Sequence, residues 1–520
     1  MRPFYIKQVR FLLACILCAG FCSLTIESAK ANEYTIARVK QYQGPLDPGD
    51  TLQKVLKIEL EVGTGGTGTP TFDSLTLVLK GVPQIAAIRL FTTDTGITFA
   101  TPRMLDSVNS PTDTVVFSGF IDTNMALGKY YYWVTVDIVT DSFTVGTIVD
   151  AAYYSGSYSP NTPDFTNTQK DPWGFRFTGR NYKIGAGNQY TNLDSAAKAI
   201  ADFDYDGDSL ILMQITSNYD SIENAPIEFY NHSGPAYITI RPENNLPVYT
   251  YGNPGSGMPL ISFDQAQKII LDGRSGGTGT DRNWSIINVD TSQGNVISFK
   301  NNSSNNSLKF LSIEGETSTN YNGLIRIGTD GSTNGVGNDS IIISNSYIGD
   351  IKIGGTASLP GIGIMCKGTN GKKNSGIIID NNHFVDIFNM SSNIPTASIL
   401  ITDESEDISI INNHMFQDTS RYPQLINSSA FIYFDANSGG GHIIAGNYLG
   451  GSDTACTGSP YNISGNAKFS GIFFSQNNTG SPSRISGNQI ANIIDSTTYN
   501  NTKYPLTGIK IAGSNSFTVG

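Results

Sequence analysis

Tyr347, His383, His414, Tyr448 and Gln489 each stand one place beyond a recurring turn residue, and Asp350, Asp386, Asp418 and Asn492 follow a few places further on. If the turns stack, these residues form columns with a spacing of about 4.8 Å on one outer face. Rings beside carboxylates suit a sugar chain, because the rings offer apolar faces and the carboxylates accept from hydroxyls. The imidazoles of His383 and His414 could also titrate together or share a metal. The same columns have a structural reading, as side-chain ladders that form wherever strands stack in register.

Other acidic residues suggest further chemistry. Asp386 with Asp418, and Asp403 with Asp435, lie roughly one coil apart and are the pairs expected for glycoside cleavage, which needs carboxyls about 5 Å or about 6.5 to 9.5 Å apart. Asp202, Asp204, Asp206 and Asp208 form D-x-D-x-D-G-D, the first half of a loop that wraps calcium in oxygen ligands. Met213 occupies the twelfth position, where that loop expects a bidentate Glu, so a solvated acidic turn is the competing reading. Arg326, Lys352, Lys367, Lys372 and Lys373 offer bases, without a lyase motif around them. A Ser-His-Asp arrangement has no support, since all four His lie in the solenoid half of the chain.

The elements that would position these residues are legible as repeats. Leu260-Ile-Ser-Phe263, Val296-Ile-Ser-Phe299, Leu324-Ile-Arg-Ile327, Gly361-Ile-Gly-Ile364, Ser398-Ile-Leu-Ile401, Phe431-Ile-Tyr-Phe434, Gly471-Ile-Phe-Phe474 and Gly508-Ile-Lys-Ile511 recur at intervals of 28 to 40 residues. That is the period of a solenoid with loops of unequal length. Each copy alternates apolar and non-core residues, as a strand with one buried face does. A second strand carries the frame x-x-I-x-x-N-x-apolar, as in Ile377-Ile-Ile-Asp-Asn-Asn-His-Phe384 and Ile408-Ser-Ile-Ile-Asn-Asn-His-Met415. Asn or Gly suits its turn because both tolerate left-handed backbone angles, and stacked Asn382, Asn413, Asn447 and Asn488 are expected to bond one another. Leu400, Tyr433 and Phe473 form a second outward column, expected beneath a loop, with a binding surface as the alternative.

This half of the chain resembles the right-handed parallel β-helix of pectate-lyase-like proteins, which include secreted polysaccharide lyases, glycoside hydrolases and adhesins. The resemblance implies an all-β solenoid that binds or cleaves polysaccharide; the repeats place it over 181–520, and because only Ser516-Phe-Thr-Val519 follows the copy at Gly508 to Ile511, the last coil is expected to be incomplete. Lyases of that family use an Asp cluster for calcium with an Arg or Lys base, and its hydrolases use paired carboxylates.

Residues 32–155 read differently. Separate strands at Thr51 to Val62, Ser74 to Lys80, Ala87 to Thr92, Thr114 to Phe120 and Tyr130 to Val139 predict an antiparallel β-sandwich. The succession Ile88-Arg-Leu-Phe91, Val116-Phe-Ser-Gly119, Leu127-Gly-Lys-Tyr-Tyr-Tyr-Trp133 and Val149-Asp-Ala151 resembles the N-terminal domain of BNR-repeat neuraminidases. Sialidase activity is not implied, since no Ser-x-Asp-x-Gly-x-x-Trp box follows. A linker rich in Pro, Thr, Asn and Ser is expected at 156–180. After it, Leu193, Ala196, Ala197 and Ile200 at helical spacing predict a short helix that caps the solenoid.

Arg2, Lys7 and Arg10 precede the apolar run Phe11 to Leu24 and the small residues Ala29 and Ala31, so residues 1–31 read as a signal peptide. Export implies a secreted or cell-surface protein with no membrane insertion after cleavage. The net charge of −11 argues against nucleic acid as a partner. Cleavage leaves Cys366 and Cys456, more than two coils apart and beyond disulfide reach. Three functions are expected of this monomer: glycan or envelope binding, cleavage by a lyase or hydrolase, or service as an architectural spacer or adhesin module.

Overall fold

The computed structural model describes residues 31–519, apart from 67, 124, 166–169, 224, 233, 291–293, 317–322, 329–336, 353–358, 388–394, 419–423, 426, 437, 477–480, 497–505 and 514–516. The signal peptide expected at 1–31 lies outside the described residues except for Ala31. Two compact units divide the chain, one containing 47–178 with the residues before Gln43, the other containing 179–520 with Gln43–Leu46.

The first unit is built from two antiparallel sheets. One has the order Ala31–Gln41, Gln53–Gly66, Gly128–Ile138, Ile85–Thr92 and Arg103–Asn109. In the other, Ile148–Ser159 lies between Arg176–Thr178 and Thr71–Lys80, which pairs in turn with Thr114–Phe117. Alternation sends Leu56, Ile58 and Leu60 inward from one sheet and Leu75, Leu77 and Leu79 from the other. Phe72 meets Tyr132 edge-on and Tyr158 face-on, both at 4.8 Å. Segment 156–180 was expected as a linker, yet it holds the end of one strand and all of another. Its Arg176 is fully buried and donates to Gln53 at 2.6 Å.

Among the described residues, the second unit is a parallel β-solenoid with three long sheets. Face A has eleven strands, from Asn181–Ile184 to Phe517–Val519. Face B has nine, from Ile227–Tyr230 to Leu506–Ala512, and carries the repeated phrase. Face C has eight, from Val248–Gly252 to Gln489–Ile490. The helix Leu193–Ala201 precedes the first strand of face B. Asn192 caps it by accepting from the Ser195 amide at 2.9 Å, and Leu193, Ala196, Ala197 and Ile200 are all buried.

Inside, like residues stack on like. Phe229, Phe263 and Phe299 run ring on ring at 5.2 and 4.6 Å. At the corner between faces A and C, each pair of polar residues divides its work. Asn345, Asn381, Asn412, Gly446 and Gly487 take the left-handed conformation, with φ from 53° to 67°. The next residue turns inward, so that Asn382 donates to Asn413, Asn413 to Asn447 and Asn447 to Asn488, at 3.1, 3.1 and 2.8 Å. The expected Asn ladder is therefore present.

One copy of the phrase sits two residues from its expected place. Ile327 pairs with Cys366, and Ile364 pairs with Ile325, so Ile364-Met-Cys366 continues the stack. A slip of two preserves the in-out alternation, so hydrophobic pattern alone cannot detect it. The outward column of face B then reads Arg326, Met365, Leu400, Tyr433, Phe473 and Lys510. Met365 and Leu400 are buried, with Tyr433 packed against them. Cys366 and Cys456 are both free thiols.

Candidate functional site

Face C carries the expected column in direct register: Tyr347 pairs with His383, His383 with His414, His414 with Tyr448, and Tyr448 with Gln489. The structure extends it backward through Ser312 and Ser285 to Tyr249. These side chains point outward because Ile286, Ile313, Ile348, Phe384, Met415 and Leu449, one residue on, fill the core.

The rings differ in what they offer a ligand. His383 and His414 meet edge-on at 5.3 Å, and His414 stacks against Tyr448 at 5.1 Å and 15°. Nδ1 of His414 lies 2.6 Å from the Thr454 carbonyl, which can only accept, so Nδ1 holds a proton. Tyr448 is 37% exposed and presents its ring. Tyr347, expected as a ring platform, is buried to 4% exposure, with the Lys352 ammonium 3.4 Å from its ring centre. Its hydroxyl donates to Asp350 at 3.1 Å, and burial followed by the Asp350 charge pushes its pKa up.

A pocket of about 420 Å³ opens beside Tyr347. Its lining includes Tyr249, Asp281, Arg282, Ser285, Ser312, Glu314 and Lys352. Glu314 is almost fully buried and accepts from the Ser312 hydroxyl at 2.6 Å and the Lys352 amide at 3.0 Å. Arg282 donates through Nε to the Asn345 carbonyl at 2.7 Å. Loss of hydration lowers the pKa of Arg282, and it lowers that of Lys352 against the opposing pull of Glu314 and Asp418. Among the described residues neither cation has a carboxylate within ion-pair distance. Burial, then the charges of Arg282, His414 and Lys352, bring His383 down to about 4, so its ring is neutral at neutral pH.

The acidic pairs fare differently from expectation. Asp386 is fully buried in a left-handed turn, and its charge is felt by the buried Tyr461. Asp418 is exposed and acts on Tyr347 and Lys352. The two do not face one another, because the third residue after His414 is Gln417, the counterpart of Asp386, and it bonds to Asn462. Asp435 pairs with Thr402, which leaves Asp403 one place beyond, near Lys367 at 3.6 Å. Asp202, Asp204, Asp206 and Asp208 do not wrap a common point. Phe203 and Tyr205 between them are buried, Phe203 bridges Gln43 in parallel, and no group of three acidic, His or Cys residues among the described residues could hold an ion.

Sequence reasoning missed Arg282 and Glu314. The turn signature begins only at the third coil, so the earlier members of the column carried no flag. Glu314 lies two residues after Ser312, which places it on the same outward face.

No family model matches the chain, including the segment likened to the neuraminidase N-terminal domain, and no curated protein matches its sequence. Among solved structures it is similar to the surface protein and adhesin PfbA of Streptococcus pneumoniae, at 13% identity over 63% of this chain and 94% of that one, with a TM-score of 0.26. It is also similar to the Agl-KA catalytic domain, at 9% identity over 90% and 91%, with a TM-score of 0.20. A third is the Family 28 exopolygalacturonase of Yersinia enterocolitica, at 10% identity over 92% and 100%, with a TM-score of 0.26. No helix among the described residues is long and apolar enough to cross a membrane.

Proposed function

We propose that face C of the solenoid binds an acidic glycan outside the cell. The observation that carries this reading is the pocket with two partly desolvated cations, Arg282 and Lys352, set in line with the rings of His383, His414 and Tyr448. A cation without a carboxylate partner gains most from an anionic ligand, since the ligand restores the charge interactions that burial removed. A volume of about 420 Å³ falls within the range of small-ligand sites. Tyr448 then supplies a stacking face, His414 a ring nitrogen, and Asp350 and Asp418 acceptors for hydroxyls. The leader-like residues 1–31 support an extracellular setting.

Binding of polygalacturonate, measured by calorimetry, tests this reading. Arg282→Gln and Tyr448→Ala should each weaken it about tenfold, a loss of roughly 1.4 kcal/mol. Unchanged affinity in both variants would refute it.

A second reading, cleavage by β-elimination, is favoured by the lowered pKa of Lys352, because a base must be neutral to take a proton. Release of unsaturated sugar products that is abolished by Lys352→Gln would establish it, and binding without such products would leave the recognition module.

A further inference from the structure

Two imidazoles on face C keep ring nitrogens that the fold does not use. His383 and His414 lie directly opposite one another on adjacent coils, both half-buried, with ring centres 5.3 Å apart at 81°. Nδ1 of His414 is committed to the Thr454 carbonyl at 2.6 Å, which in the neutral ring leaves the lone pair on Nε2. Among the described residues nothing hydrogen-bonds to Nε2 of His414 or to either nitrogen of His383. A histidine that binds a metal is held in this way, its other N–H given to a carbonyl outside the coordination shell. Tyr448, stacked on His414 at 5.1 Å, and Phe416, 6.1 Å from His383, brace the two rings. Burial first, then the charges of Arg282, His414 and Lys352, bring His383 down to about 4, so its lone pair is available at neutral pH.

The spacing suits one ion. With N–metal bonds of about 2.0 to 2.1 Å and a ring centre roughly 1.1 Å behind its nitrogen, two imidazoles at a tetrahedral angle stand about 5 Å apart, centre to centre. Closure therefore asks the rings to turn on their side-chain bonds and leaves the strands where they are. No third His, Cys, Asp or Glu among the described residues joins them, so water or a ligand carboxylate completes the shell, as at sites that keep an open position. Arg282 and Lys352 oppose any cation here, as they oppose the His383 proton. Calcium and magnesium, which take oxygen ligands, gain nothing from imidazole to offset that repulsion. Copper(II), the strongest binder of nitrogen ligands among the first-row divalent ions, gains most. We propose that His383 and His414 form a two-histidine site for a divalent transition ion, copper(II) before zinc(II), with the Thr454 carbonyl positioning His414. The site is independent of the glycan reading, because the imidazoles take the ion with or without a sugar in the pocket.

The test uses the full, untagged chain, freed of metal by chelator and titrated calorimetrically with copper(II), zinc(II) and calcium chlorides at neutral pH. His232 and His442, the other two imidazoles of the chain, are buried and give little background. We expect one copper(II) per chain, zinc(II) bound at least tenfold more weakly, and no displacement of either by calcium. Electron paramagnetic resonance of the copper form should show nitrogen hyperfine coupling from imidazole, which His383→Gln and His414→Gln each diminish as they weaken binding at least thirtyfold. Arg282→Gln should tighten copper(II) about threefold by removing a repelling charge, whereas it weakens an acidic glycan, so the two readings fail separately. The proposal is overturned if copper(II) binds no more tightly than calcium, if its spectrum lacks imidazole nitrogen, or if the His383→Gln, His414→Gln chain binds it as the parent does. The spectrum is recorded on the parent chain, so misfolding of a variant cannot excuse a negative result.

Discussion

Asn413→Ala removes a fully buried side chain that makes four hydrogen bonds. Its Oδ1 accepts from the amide and the side chain of Asn382, at 3.0 and 3.1 Å, and its Nδ2 donates to the Ile379 carbonyl at 2.9 Å and to Asn447 at 3.1 Å. Each bond contributes roughly 0.5 to 1.5 kcal/mol net, and a buried donor left without a partner costs about 1 to 3 kcal/mol. The Asn382 amide and side chain are both deprived, so the expected loss is roughly 3 to 5 kcal/mol. Coils interact with their nearest neighbours, so the damage should centre on the coils at 382 and 447. Asn412→Gly, one residue away, is the control: its φ of 54° suits glycine, and the next coil already has Gly446 there. That change should alter stability by less than about 1 kcal/mol. Urea unfolding gives the totals, and hydrogen exchange at the Asn382 amide reports the local opening. Equal effects of the two substitutions would refute the ladder as a stabilising element.

Two further outcomes follow from burial. His383 at about 4 and His442 at about 3 are both depressed, His442 by burial alone, so the unfolded chain binds protons that the folded chain refuses. Their contribution is complete above the unfolded value of about 6.5 and is lost as pH falls from there toward 4, with a slope of up to about 1.4 kcal/mol per pH unit for each imidazole. His442→Phe should flatten urea midpoints over that window, and an unchanged slope would contradict the assignment. Leu400 points away from the solenoid interior yet is 1% exposed, so Leu400→Ala should cost about 2 to 5 kcal/mol, as at a core site. A thermal midpoint like that of the parent would show that this column is not buried in solution.

Much of this molecule could be read from the chain because stacking makes local patterns repeat. The in-out alternation of the phrase, the Asn turn and the helix capped at Asn192 are short-range features, and each coil restates the same steric demand. The column Tyr347, His383, His414 and Tyr448 follows from that repetition. Where the demand is satisfied in two ways, the chain is silent: a two-residue slip at Ile364 preserves alternation, and in Asn381–Asn382 either residue could take the left-handed angle.

What the tertiary structure alone decided is which outward residues meet water and which charges meet one another. Asp386 and Asp418 look equivalent in sequence, but Gln417 fills the place equivalent to Asp386, so one carboxylate is buried and the other reaches the field of Lys352. Arg282, Glu314 and Lys352 converge from different coils through loops of unequal length. Periodicity specifies the direction of a side chain, because that depends on the backbone beside it. Solvation and charge partnership depend on whatever else folding brings within a few ångströms, and for these residues that comes from distant parts of the chain.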